Sequence, residues 1–120
     1  YRKKLTKEVS KPLIKYFGKP FDDVYQKCFA ALGIADKSRI CGIGDSLEHD
    51  IMGANKAGMG SIFIENGVHC ELLGTVEGAH VSAGEDKVRL VIATIGEESG
   101  KHPALCEPTT SVPCFQWGED

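Results

Sequence analysis

From Phe21 onward the apolar positions fall at Phe21, Val24, Tyr25, Cys28, Phe29 and Leu32, alternately three residues and one residue apart, which is the spacing of one helical face. Pro20 precedes the run, Asp22 and Asp23 sit in its first turn and Gly33 follows it, so both ends carry helix-boundary chemistry. Upstream, PLIKYF at 12–17 is β-branched and aromatic before Gly18-Lys19-Pro20, and reads as a strand that Pro20 ends. Downstream, RICGIG at 39–44 is apolar without alternation past Arg39, the pattern of a strand in a parallel sheet covered by helices on both faces. A second helix is predicted from about Glu48 to Ala57, stopping at Gly58, and SIFI at 61–64 is another short strand, closed by the turn Asn66-Gly67.

Strand, helix, strand, helix, strand is the order of βαβ units in a parallel sheet with right-handed crossovers, so the fold class is α/β. The pattern thins after residue 68. A short helix is predicted at 69–73, an edge strand at Ala79–Val81, and an amphipathic helix at 86–95, with Val88, Val91, Ile92 and Ile95 on one face and Gly96 at its end. Pro103, Pro108 and Pro113 then predict an extended strap anchored by Phe115 and Trp117. The chain thus divides into a basic arm or connection at 1–11, an α/β core at 12–98 and a proline-containing strap at 99–120.

Composition changes this picture little: 120 residues fit one domain, and 42% hydrophobic with 26% charged residues exclude disorder, collagen and coiled coil. No apolar run approaches the ~18 residues of a membrane span, and the start has no secretory signal. The expectation is a soluble protein without a membrane partner. Tyr1 in place of Met reads as a piece of something longer. Five cysteines without a C-x-x-C (Cys28, Cys41, Cys70, Cys106, Cys114) point to free thiols in a reducing compartment, with Cys28 and Cys41 as small buried apolar groups. That places the chain in the cytoplasm, or in an organelle if a transit peptide precedes Tyr1. Neither the cysteines nor the four histidines have zinc spacing.

Charge is uneven. Residues 1–19 carry seven Lys/Arg against Glu8 alone, although the whole chain is at −3. With no aromatic interleaving and no nucleic-acid motif beside it, this arm reads as a solvated segment and nucleic acid is not expected as a partner.

The candidate chemistry lies where ligands sit in open parallel sheets, beyond the carboxyl ends of the strands. Lys19 follows the first predicted strand, Asp45 the second, and Asp50 lies in the first turn of the next helix. Each has a structural reading: Asp45 or Ser46 as a helix cap, Asp50 as a first-turn acid favoured by the helix dipole, Lys19 as a loop cation, Gly42 and Gly44 as packing glycines. Taken together, two carboxylates bracketing one turn with a lysine beside them also suit a hard divalent cation and a phosphate oxygen. On the residues alone both readings stand.

The stretch YFGKPFDDVYQKCFAALGIADKSRICGIGDSLEHDIMGANKAGMGSIFIENGVH resembles the C-terminal half of the catalytic core of haloacid dehalogenase-like (HAD) hydrolases. More narrowly, it is similar to the class IIA phosphatases, whose cap domain is inserted between the second and third motifs. GKP around Lys19 resembles the third motif, and GDSLEHD, with aspartates at 45 and 50, the fourth. The resemblance implies a partial Rossmann-like sheet flanked by helices, an incomplete core without the cap, and a Mg²⁺-dependent phosphoryl-transfer site. Lys19 would be catalytic, steadying nucleophile and phosphoryl group; Asp45 would bind Mg²⁺ directly and Asp50 directly or through water. Ser46 and Gly44 would lie around the phosphate and the metal's waters. His49 is expected to face solvent, because Mg²⁺ prefers oxygen, and Asn55 to lie on the helix surface or make a local hydrogen bond rather than bind a ligand. His69 lies at a strand end and could face the site.

One departure matters. HAD hydrolases carry an upstream D-x-D with the nucleophile, and no D-x-D occurs in these 120 residues. The implied function is therefore a fragment of a phosphatase acting on a small phosphorylated metabolite in its parent, inactive alone. The alternative is a non-catalytic metal- and phosphate-binding or regulatory module, pairing through an exposed sheet edge with a second copy or a complementing chain. A nucleotide-binding reading of GIGDS fails because the third glycine of the G-x-G-x-x-G fingerprint is missing.

Overall fold

A computed structural model describes residues 16–100 and 103–118 of the chain. Helix α1 (Asp22–Leu32) is followed by a short 3₁₀ turn at Lys37–Arg39 and strand β1 (Cys41–Gly44). A single π-helical turn, Leu47–Ile51, leads into α2 (Met52–Ala57), then β2 (Gly60–Ile64) and the one-turn α3 (Cys70–Leu73). The long α4 (Glu85–Glu98), a 3₁₀ turn at Pro103–Cys106 and β3 (Thr110–Val112) complete it. The strands form one parallel sheet in the order β1-β2-β3, with Ile43 opposite Ile62 and Phe63 opposite Ser111.

The core lies on one face of this sheet. Phe63, on β2, is fully buried with Leu47, Ile51 and Met52 from the turn into α2, Val88, Val91 and Ile95 from α4, and Cys106 from the tail. Burying each of these large apolar side chains contributes roughly 1.5–3 kcal/mol. The opposite face carries Cys41, Ile43 and Ile62; Cys41 is exposed and Ile43 is 49% exposed. The expected cover on both faces is therefore present on one face only, among the described residues.

Most of the predicted elements form, with these corrections. Of the strand expected at 12–17, residues 12–15 lie outside the described residues, and Tyr16 and Phe17 are irregular and exposed, Tyr16 stacking on Phe21 at 5.2 Å. The stripe on α1 forms, but Tyr25 alone of it is buried; Cys28 and Cys41, expected inside, are exposed. Ala79–Val81 is not a strand, because Asn66 Nδ2 donates to the carbonyls of Ala79 (2.7 Å) and Val81 (2.9 Å) and holds this segment as a loop. α4 runs through Gly96, whose missing side chain lets the backbone of Pro103 pack against it.

The tail is not a strap held by aromatics. Phe115 is 56% and Trp117 86% exposed; β3 and the buried Cys106 dock it instead. Asn55 fixes the approach, donating to the carbonyls of Leu105 and Glu107 at 2.8 Å while accepting from Ser61 Oγ at 3.0 Å. The local hydrogen bond expected of Asn55 is thus a clamp spanning the core. The arm at 1–11 lies outside the described residues.

Candidate functional site

Lys19 sits in a turn that Gly18 opens at φ 102°, a backbone region that suits glycine, and that the Phe21 N–H closes on the Gly18 carbonyl at 2.8 Å. From this turn its Nζ donates to Asp50 Oδ1 in a close ion pair between residues 31 apart in sequence. The Asp50 hydrogen bond, outweighing partial desolvation, raises the Lys19 ammonium above its ordinary pKa, and Asp45 adds to the pull. The lysine is thus held charged against the Asp50 carboxylate.

Asp50 also belongs to the helix start. Ser46 caps the turn: its Oγ accepts from the His49 N–H at 3.3 Å and bonds His49 Nδ1 at 2.8 Å, while its own N–H donates to Asp50 Oδ2 at 3.1 Å. This reciprocal pairing resembles a capping box displaced by one residue. Both Asp50 oxygens are therefore engaged, one by Lys19 and one by Ser46. The Ser46 hydroxyl is used by the cap, and His49 lies exposed beside it.

Asp45 is held from the other side. Its Oδ2 accepts the Val68 N–H at 3.0 Å, and Oδ1 takes no hydrogen bond from the described residues. Two glycines make room for the acids: a side chain on Gly67 would overlap the Asp45 carboxylate, and one on Gly44 the Asp50 carboxylate. His69, on the same turn as Gly67, is 6% exposed, and its Nε2 accepts the Leu47 N–H at 3.2 Å. Nε2 is thus unprotonated and Nδ1 carries the proton. Burial lowers the His69 pKa, against a weaker opposing pull from Glu48 and Asp45. Tyr25 packs its ring edge on Gly53 of α2, where its buried hydroxyl has no hydrogen-bond partner among the described residues, and burial raises its pKa.

Could these residues hold a divalent cation? Among the described residues no group of three or more His, Cys, Asp or Glu side chains converges as a metal cage. Mg²⁺ usually takes only one or two carboxylates, with waters and a phosphate completing its shell. An oxygen-only donor set with one uncommitted Asp45 oxygen, in a notch kept open by glycines, fits that mode. Asp50, with both oxygens committed, fits an indirect role.

The structure therefore brings Lys19, Asp50, Ser46 and Gly44 together and sets Asp45 at the same strand end. Sequence reasoning missed Gly67, Val68 and Tyr25. Asn66-Gly67 read only as a turn, and a backbone N–H donor such as that of Val68 leaves no mark in residue identity.

A family model described as HAD-hydrolase-like matches residues 16–96. No curated protein and no solved structure matches the chain.

Proposed function

The chain belongs to the HAD-hydrolase-like family, and from that premise we propose that it supplies the lysine and metal-binding half of a Mg²⁺-dependent phosphoryl-transfer centre of phosphatase type. The observation that carries the reading is the Lys19–Asp50 pair, which joins the GKP turn to the helix after β1 at the strand end bearing Asp45. Lys19 is a permanent point charge for a phosphate oxygen and for the attacking carboxylate. Asp50 positions that charge, and the Ser46 cap positions Asp50. Asp45 would hold Mg²⁺ directly and Asp50 would meet it through water. The ion's chemistry, when bound, is neutralisation of charge on the transferring phosphoryl group.

The nucleophile is not among these 120 residues, which contain no D-x-D. The chain reads as the C-terminal half of a class IIA core, whose other half carries the nucleophile and whose cap selects a small phosphorylated metabolite. In this reading the chain alone shows no turnover with Mg²⁺ and an aryl phosphate; turnover abolished by Asp45→Ala would overturn it. Phosphorus NMR of inorganic phosphate should show binding that needs both Mg²⁺ and Lys19.

A second reading is favoured by the open side of the sheet. β1 has β2 on one edge and no strand on the other among the described residues, and Cys41 and Ile43 leave its outer face uncovered. An unpaired strand edge is a template for another strand. A complementing chain or a second copy would complete the sheet there, with the metal and phosphate pocket serving binding or regulation. Sedimentation tests the second-copy form of this reading: self-association favours it, and a monomer rules that form out.

A further inference from the structure

Strands β1 and β2 are parallel neighbours, so the turns that follow them lie side by side, and a reciprocal pair of hydrogen bonds laces those turns together. The Val68 N–H of the second turn donates to Asp45 Oδ2 of the first at 3.0 Å. In the other direction, the Leu47 N–H of the first turn donates to His69 Nε2 of the second at 3.2 Å. Each turn thus offers one backbone donor and one side-chain acceptor to the other.

The two bonds sit in different surroundings. His69 and Leu47 are both buried, so water does not compete for the bond between them, and a Leu47 N–H deprived of it would be a costly unpaired donor. The Val68–Asp45 bond lies at the surface, where water replaces either partner at little cost. The buried bond therefore sets the spacing of the turns, and the exposed bond follows it. Both sides of this clasp are anchored: Leu47 packs in the core, and the His69 carbonyl accepts the N–H of buried Leu73 at 3.0 Å. We propose that His69 is a positioning residue: by holding the Leu47 N–H it keeps the Val68 N–H on Asp45 Oδ2, and so fixes the orientation in which Asp45 meets Mg²⁺. The metal part of this inference rests on the phosphoryl-transfer reading; the clasp itself does not.

Two substitutions separate the acceptor from the ring. His69→Phe keeps a ring beside Phe63, whose centroid lies 6.1 Å from that of His69, and removes the acceptor; His69→Gln gives up the ring and brings an amide oxygen to the place of Nε2. The clasp is read by NMR as the through-hydrogen-bond coupling between the Val68 amide nitrogen and the Asp45 carboxyl carbon, and the metal by calorimetric titration with Mg²⁺. The coupling should be present in the parent and in His69→Gln and lost in His69→Phe. Mg²⁺ affinity should fall about tenfold or more in His69→Phe, the scale of a lost partner behind a metal ligand, and return in His69→Gln. A coupling that persists in His69→Phe, a Mg²⁺ affinity that His69→Phe leaves unchanged, or a His69→Gln that behaves as His69→Phe does would overturn the proposal. A parent chain that takes up no Mg²⁺ overturns the phosphoryl-transfer reading instead, and the coupling still decides the clasp. Should His69→Phe fail to fold, His69→Asn, whose side chain stops short of the Leu47 N–H, is read in the same way.

Discussion

The carboxyl ends of β1 and β2 each carry acids set into the fold, and the two ends handle the charge in opposite ways. After β1, Asp50 is matched by Lys19 and by a backbone N–H at a helix start, while Asp45 keeps one oxygen without a hydrogen bond from the described residues. After β2, Glu65 is more deeply buried, yet among the described residues its carboxylate is met by hydroxyls alone. Charge that is compensated within the fold positions other groups; buried charge left uncompensated costs stability. The turn between the two ends links them, since Asn66 pins the loop through Ala79 and Val81 while Gly67 and Val68 hold Asp45.

The change that breaks the β1 end most severely is a methyl at Gly44 or Gly67. Either alanine meets a carboxylate, and overpacking of this kind costs about 1–3 kcal/mol. Denaturant unfolding should show that loss. Amide shifts around Glu65 should stay in place for Gly44→Ala and move for Gly67→Ala, which lies in the linking turn.

Next in size is a paired neutralisation. Asp50→Asn gives up the lysine contact and weakens the helix start, an expected loss of about 1 kcal/mol. Glu65→Gln removes a charge that lacks a counter-ion and should be close to neutral or stabilising. Equal losses from the two would erase the distinction between the ends.

A third effect follows from His69. Its folded-state pKa lies below the ordinary 6.5, so the unfolded chain binds the extra proton first. Its contribution is full above about 6.5 and is lost as pH falls through the folded pKa, because a proton on Nε2 displaces the Leu47 N–H. Thermal midpoints between pH 7 and 5 should therefore fall less steeply in His69→Asn than in the parent. Lys19 runs the other way: its raised pKa keeps its contribution present below 10.5 and loses it as pH rises through the folded value.

Among the changes expected to destabilise, Lys19→Met has the smallest effect. Lys19 is 56% exposed, and pairs of that kind contribute roughly 0.2–1 kcal/mol. Phosphate binding in the presence of Mg²⁺ should nonetheless fall well out of proportion to that change.

The β1 end was legible in the sequence because its chemistry rests on side chains at fixed spacing: Lys19 before a helix, Asp45 and Asp50 around the next helix start. The family match over 16–96 agrees with that reading of the fold. The β2 end was not legible. Glu65 follows SIFI as one polar residue before a turn, and its partners Ser82 and Ser111 lie 17 and 46 residues away. β3 escaped notice because a three-residue strand between Pro108 and Pro113 has no periodicity, and its place is set by the Asn55 clamp. Cys28 and Cys41 sat in apolar patterns that form as predicted, yet a pattern gives a face without saying what covers it.

The central claim is that the β1 end is a built half-site for Mg²⁺ and phosphate. Calorimetric titration of the chain with Mg²⁺, with and without inorganic phosphate, tests it most directly when run beside Asp45→Asn. The account predicts Mg²⁺ binding that phosphate strengthens and that Asp45→Asn abolishes; no Mg²⁺ binding in either condition, or binding that Asp45→Asn leaves intact, would contradict it.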